Sequence, residues 1–130
     1  TLMRMAQEGT SEVRAASDQK GCPTSTYAVA AVIRKLLRSP RLMGTLHLSC
    51  GGEASRYDFA RAVFELAGLG QKVVPCLSGE IPGSAVEPRS LKLENRMLGM
   101  FGLPPMPDWR TALADFMRRE FSPAAGGSVR

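Results

Sequence analysis

Gly44-Thr45-Leu46-His47-Leu48-Ser49-Cys50-Gly51-Gly52, followed by Ser55-Arg56-Tyr57-Asp58-Phe59 and, beyond Gly68, by Lys72-Val73-Val74-Pro75-Cys76, sets the fold class. In the first run Leu46 and Leu48 alternate with Thr45, His47 and Ser49, the period of a half-buried strand, and Gly51-Gly52 closes it. Ser55 is placed to cap a helix, with Asp58 three residues on completing a shortened capping box. Phe59, Val63, Phe64 and Leu66 supply that helix with apolar residues, and Gly68 ends it. Lys72 to Cys76 then reads as a short strand, so strand, helix and strand follow one another in an α/β arrangement.

Working outward, Thr1 to Gln7 reads as the later turns of an amphipathic helix, and Glu12 to Ala16 as a short strand before the turn-rich Ser17-Asp18-Gln19-Lys20-Gly21-Cys22-Pro23-Thr24. A helix from Ser25 or Thr26 to Arg38 is predicted from Val29, Val32, Ile33, Leu36 and Leu37, which share one face, and Ser39-Pro40 stops it. Residues 78–90 form a long Gly- and Pro-containing loop of the kind that often carries function. Leu91 and Leu93 suggest a brief strand leading into a short helix with Met97, Leu98 and Phe101, closed by Gly102. Asp108 caps a last helix whose Trp109, Leu113, Phe116 and Met117 share a face. Residues 122–130 have nothing to pack and read as a frayed, flexible tail, leaving residues 1–121 as the folded unit.

Composition narrows the function. The chain has 130 residues, 44% hydrophobic and 22% charged, consistent with one soluble globular domain. It starts at Thr1 rather than Met, and the immediate entry into a helical pattern reads as a piece of a longer protein. The apolar stretches are far shorter than the ~18 residues a membrane span needs, so neither a span nor a signal peptide is read. Three Cys at 22, 50 and 76 form no C-x-x-C and no finger spacing, which points to reduced cytosolic thiols rather than zinc or a redox pair. The net charge of +5 is scattered, with Arg34, Lys35 and Arg38 near one helix end and Arg118 and Arg119 near another, where cations complement the helix dipole. Aromatic content of 6% and the lack of a continuous basic stripe argue against nucleic acid as the partner, while an anionic small molecule remains welcome.

A complete catalytic apparatus is absent from the sequence. The nearest Gly-rich run, Gly68-Leu69-Gly70, follows a helix, and Val73 stands where a dinucleotide-binding turn needs its third Gly. Tyr57 is followed four residues on by Arg61, and Tyr27 by Ala31, so neither forms a Tyr/Lys proton-donor pair. His47 is read as a hydrogen-bonded structural residue, Glu8, Glu12 and Asp18 as solvated carboxylates rather than metal ligands, and Trp109 as core. Arg89, in the long loop, has the planar donor fork that grips phosphate.

Several motifs in register resemble those of the dTDP-4-dehydrorhamnose reductase family, a branch of the extended short-chain dehydrogenases/reductases. Asp18-Gln19-Lys20-Gly21-Cys22-Pro23-Thr24 is similar to D-Q-x-G-x-P-T, Gly44 to Ser49 to G-x-x-H-L-S, and Glu53 to Ala60 to E-x-S-x-x-x-F-A. Phe101-Gly102-Leu103 and Pro107-Asp108-Trp109-Arg110 extend the likeness to about residue 120. The resemblance implies the C-terminal portion of a Rossmann-like fold, with a small α/β substrate-binding cap. It further implies that an absent N-terminal dinucleotide-binding domain supplies the NADPH site and the Tyr/Lys pair, and that a dTDP-sugar binds near Gln19, Pro23, Thr24 and Arg89.

The activity implied is reduction of dTDP-4-dehydro-L-rhamnose to dTDP-L-rhamnose in the cytoplasm, with a homodimer as a further expectation. Taken alone, these residues are expected to be inactive and marginally stable. The alternatives are a non-catalytic regulatory subunit of the same fold, like the methionine adenosyltransferase β-subunit, or a related NAD(P)-dependent sugar-nucleotide epimerase. One departure bears on this choice: Glu87-Pro88 stands where the family's loop has Arg-Pro, and a carboxylate repels a diphosphate. Either Arg89, two positions later, takes the phosphate, or the loop serves another substrate or none.

Overall fold

The computed structural model describes residues 2–38, 44–83 and 88–121. It begins with helix α1 (Leu2–Gln7), strand β1 (Glu12–Ala16), the two-residue strand β2 (Lys20–Gly21) and helix α2 (Thr26–Leu36). Then come β3 (Ala54–Ser55), α3 (Arg56–Leu66), β4 (Lys72–Cys76), a 3-10 turn at Ser78–Glu80, β5 (Ser90–Leu91), α4 (Arg96–Met100) and α5 (Trp109–Phe121). β1 and β4 pair in parallel from Glu12↔Lys72 to Ala16↔Cys76. In a second small sheet β2 lies between β3, antiparallel, and β5, parallel.

Parallel neighbours cannot be joined by a hairpin, so the chain from Ser17 to Gln71 serves as the crossover between β1 and β4. Its last helix, α3, lies against both strands and also against α5. Ala60, Ala62, Val63 and Phe64 are the buried residues of α3, and the last three share one core with Val13 of β1 and Trp109, Leu113 and Met117 of α5. Leu98 of α4, 1% exposed, and Val32 of α2 complete this core.

The ends of α3 follow their sequence signals. The Ser55 hydroxyl accepts the Asp58 amide at 3.0 Å, while the Asp58 carboxylate accepts the Ser55 amide at 3.0 Å and hydroxyl at 2.7 Å. At the other end Gly68 has φ +65, Leu69 N–H reaches the Phe64 carbonyl at 2.9 Å and Gly68 N–H the Glu65 carbonyl at 3.1 Å, the Schellman closure that glycine permits. Gly68-Leu69-Gly70 is therefore a helix stop, leading from helix to strand.

Several expectations are corrected. Residues 44–50 form no strand. Their inner end is instead bonded to side chains and to one loop: Ser49 N–H donates to Asn95 Oδ1 at 2.9 Å, Asn95 Nδ2 donates to the Ser49 carbonyl at 2.6 Å, and Cys50 N–H donates to Thr24 Oγ1 at 3.1 Å. The Leu46/Leu48 alternation survives as partial burial, but Ser49 turns inward and His47 is exposed rather than a packed structural histidine. On α2, Ile33 (45% exposed) and Leu37 (83%) face outward, and Leu66 of α3 does so too, because among the described residues no element covers those sides. The strand suggested by Leu91 and Leu93 contracts to Ser90–Leu91, and the loop after β4 contains the 3-10 turn. Ser39-Pro40, Glu87 and the tail at 122–130 lie outside the described residues.

Gly51 and Gly52 lock α5 to the body of the protein. Gly51 N–H donates to the Pro107 carbonyl at 2.8 Å, and Trp109 N–H donates to the Gly51 carbonyl at 3.0 Å. Gly52 has φ +79, and a Cβ there would stand 2.7 Å from Asp108 Oδ2 and 2.8 Å from Trp109 Cδ1. Gly52→Ala is expected to destabilise the fold by roughly 1–3 kcal/mol, read as a shift in the urea midpoint. The Asp58 carboxyl is held below its ordinary value, chiefly by the Ser55 hydroxyl and then the Ser55 amide, with Lys20 and Arg110 assisting. A depressed carboxyl contributes stability above its unfolded value that is lost as pH falls through the folded one. Asp58→Asn should therefore lower stability at neutral pH and flatten the decline seen in wild type below about pH 3.8, measured by urea melts across pH.

Candidate functional site

A cleft of about 610 Å³ opens along β1 and the turn that follows it, with no residue of β4 in its lining. Its walls come from β1 and the turn after it, from the start of α3, and from Ile81 just beyond the 3-10 turn. Open α/β sheets bind ligands outside the carboxyl ends of their strands, where departing loops diverge, and this volume is that of a small-molecule site.

Two contacts tie β1 and the turn after it to the segment that follows β4. The Asp18 carboxylate accepts the Ser78 amide at 2.9 Å and the Ser78 hydroxyl at 3.0 Å. Arg14 pairs with Glu80 across the same gap. The Asp18 carboxyl is held below its ordinary value mainly by the Ser78 amide, with the Ser78 hydroxyl and Arg89 acting in the same direction. Asp18 thus fixes the turn after β4, and with it the neighbouring Ile81 in the cleft wall.

The expected site residues separate into two groups. Gln19, 9% exposed, and Pro23 both line the cleft. Thr24 lies in an adjoining apolar groove of about 530 Å³ between α1, α3 and α5, and Leu2, Pro23 and Phe59 stand in the walls of both spaces. The Thr24 hydroxyl donates to the Cys22 carbonyl at 2.8 Å and accepts the Cys50 amide at 3.1 Å, which pins the turn to the 49–52 segment. Arg89 is exposed and does not line the cleft: its carbonyl accepts the Lys20 amide at 2.9 Å, and its charge acts on Asp18.

The other candidates have ordinary partners. Glu8 pairs with Arg4 at 3.4 Å and Glu12 with Lys72 at 3.3 Å. All three cysteines are free thiols, Cys50 and Cys76 buried and Cys22 partly exposed in the cleft wall. Among the described residues no group of His, Cys, Asp and Glu is assembled to hold a metal, and no helix is long and apolar enough to cross a membrane.

Lys20 and Arg56, which also line the cleft, were not singled out from sequence. Lys20 lies inside a turn that reads as solvated. Arg56 carried a signal: it occupies the first residue of α3, where the helix dipole disfavours a cation.

Such a parallel pair, covered by its crossover helix, is part of an α/β fold. The family described as RmlD substrate binding domain matches residues 1–121, and the chain belongs to that family. It is 35% identical over 114 residues to the dTDP-4-dehydrorhamnose reductase of Mycolicibacterium smegmatis, covering 87% of this chain and 35% of that protein. It is 32% identical over 122 residues to the spore coat polysaccharide biosynthesis protein SpsK of Bacillus subtilis, covering 94% of this chain and 42% of that one. Its structure is similar to that of a Bacillus anthracis dTDP-4-dehydrorhamnose reductase solved in complex with NADP, with a TM-score of 0.85 and 29% identity over 92% of this chain and 41% of the other. The chain thus spans about two fifths of the length of the relatives it matches.

Asp18→Ala should speed hydrogen exchange at the Ser78 amide by about an order of magnitude, because that amide loses its acceptor, while the amides of α5 exchange as before.

Proposed function

We propose that the chain is the nucleotide-sugar-binding portion of an NADPH-dependent reductase that converts dTDP-4-dehydro-L-rhamnose to dTDP-L-rhamnose. The observation that carries this reading is the cleft along β1 and the turn after it, with buried Gln19 and half-buried Pro23 in its wall. Membership of a substrate-binding family supports it, as do the names of the relatives.

In this reading Gln19 orients the ligand by hydrogen bonding from a site poor in water, and Pro23 offers it an apolar surface. Thr24 holds the turn that carries both. Arg89, outside the cleft lining, closes on the ligand. NADPH supplies the hydride when bound, as its chemistry requires. The glycines at 68 and 70 do not fit a pyrophosphate turn, so the cofactor is assigned to residues outside this chain. Action in the cytoplasm, without nucleic acid or membrane as partner, and as a homodimer belongs to the same reading.

Calorimetric titration of dTDP and dTDP-sugars into the full-length protein tests it. Micromolar binding is expected, with Arg89→Ala and Gln19→Leu each weakening it about tenfold, equivalent to about 1.4 kcal/mol. Absence of nucleotide-sugar binding by the wild type would overturn the reading.

A further inference from the structure

Asp18 lies in the turn after β1 and does not itself line the cleft, although Gln19, the next residue, does. Both oxygens of its carboxylate are engaged by one residue far along the chain: Oδ1 accepts the Ser78 amide at 2.9 Å and Oδ2 the Ser78 hydroxyl at 3.0 Å. Ser78 opens the 3-10 turn, and its carbonyl accepts the Ile81 amide at 3.1 Å. Among the described residues, Ile81 is what the stretch between β4 and β5 contributes to the cleft wall. Asp18 therefore reaches that wall in two bonded steps, through Ser78 to Ile81.

This connection outweighs the others at the same turn. A 3-10 turn of three residues has poor internal hydrogen-bond geometry and holds its place through its anchors. Glu80 supplies two further contacts, accepting the Leu77 amide at 3.4 Å and pairing with Arg14. The first is long, and the second joins side chains 54% and 49% exposed, in the order Arg14, Glu80, where solvent and salt screen the pair. A half-buried carboxylate that takes two donors from one residue is the stronger tie.

We infer that Asp18 is a positioning residue of the cleft: by fixing Ser78 it sets where Ile81 stands relative to Gln19, and so how closely the wall fits a ligand. Loss of the carboxylate frees Ile81 without removing any group that lines the cleft. The inference rests on the nucleotide-sugar reading for the identity of the ligand, while the placement of Ile81 is independent of it.

The test compares the full-length protein with Asp18→Ala, Asp18→Asn, Ile81→Ala and the variant carrying both Asp18→Ala and Ile81→Ala, by two readouts. The first is affinity for dTDP-L-rhamnose by calorimetry. Asp18→Ala and Ile81→Ala should each weaken it about fivefold, and the double variant no further than the worse of the two, because both act through the same side chain. Asp18→Asn keeps an oxygen that accepts the Ser78 amide and should stay within about twofold of wild type. Additive losses, an Asn variant as weak as the Ala variant, or unchanged binding in Asp18→Ala would each overturn the positioning role. The second readout needs no nucleotide sugar: the rate at which N-ethylmaleimide labels Cys22, half-buried in the cleft wall, with buried Cys50 as the control for unfolding. Asp18→Ala should speed labelling of Cys22 about fivefold with Cys50 still protected. A wild-type rate at Cys22 overturns the inference, and so does joint labelling of Cys22 and Cys50, which marks a general loss of stability. A wild type that binds no dTDP-L-rhamnose refutes the nucleotide-sugar reading, and the labelling rates then decide the role of Asp18 by themselves.

Discussion

Parallel pairing of β1 with β4 is the constraint on which the rest of the structure depends. Two parallel strands need a long connection that returns the chain to the starting end of the sheet. Here that connection holds β2, α2 and β3 and comes back along α3, which covers both strands. Since α3 runs back toward the amino ends of the strands, its own amino end lies near their carboxyl ends. Ser55 and Arg56 at the start of α3 therefore share a cleft with Gln19 and Pro23 from the turn after β1. The site is a consequence of the crossover.

A second principle governs the segments that are neither helix nor strand. Buried backbone groups must find partners, and where no ladder is available side chains supply them. Asn95 serves both backbone groups of Ser49, and Thr24 receives the amide of Cys50. Pro107 and Trp109 then close on Gly51 through their main chains. These bonds link the turn after β2, the irregular segment before β3, the start of α4 and the start of α5.

Electrostatics divides the surface in a comparable way. Arg34 and Lys35 close α2, and Arg118 and Arg119 close α5, where the helix dipole favours them. Asp115 takes up both Arg118 and Arg119, at 3.2 and 2.8 Å. Arg14 and Lys20 in the cleft wall differ, because their acidic partners Glu80 and Glu53 stand outside it. The net positive charge of the chain says little about function until the structure separates these two populations.

By itself the sequence determined the local features: α3 with its capping box and glycine stop, the strands Glu12–Ala16 and Lys72–Cys76, and the buried face of α5. The helical features are fixed by neighbours within a few residues, through capping, periodicity and the freedom of glycine at positive φ, while the two strands are legible as short runs whose pairing with each other is not. The motif around Gln19 and Pro23 was legible as a likeness to the family to which the chain belongs. Only the tertiary structure decided that residues 44–50 are irregular, since their alternation is that of a strand but strand formation depends on a neighbour far away in sequence. It also decided which faces of α2 are covered, leaving Ile33 and Leu37 exposed. The placement of Lys20 opposite Ser55 was decided there too, because the pairing of β2 with β3 joins residues so far apart in sequence that no local pattern records it.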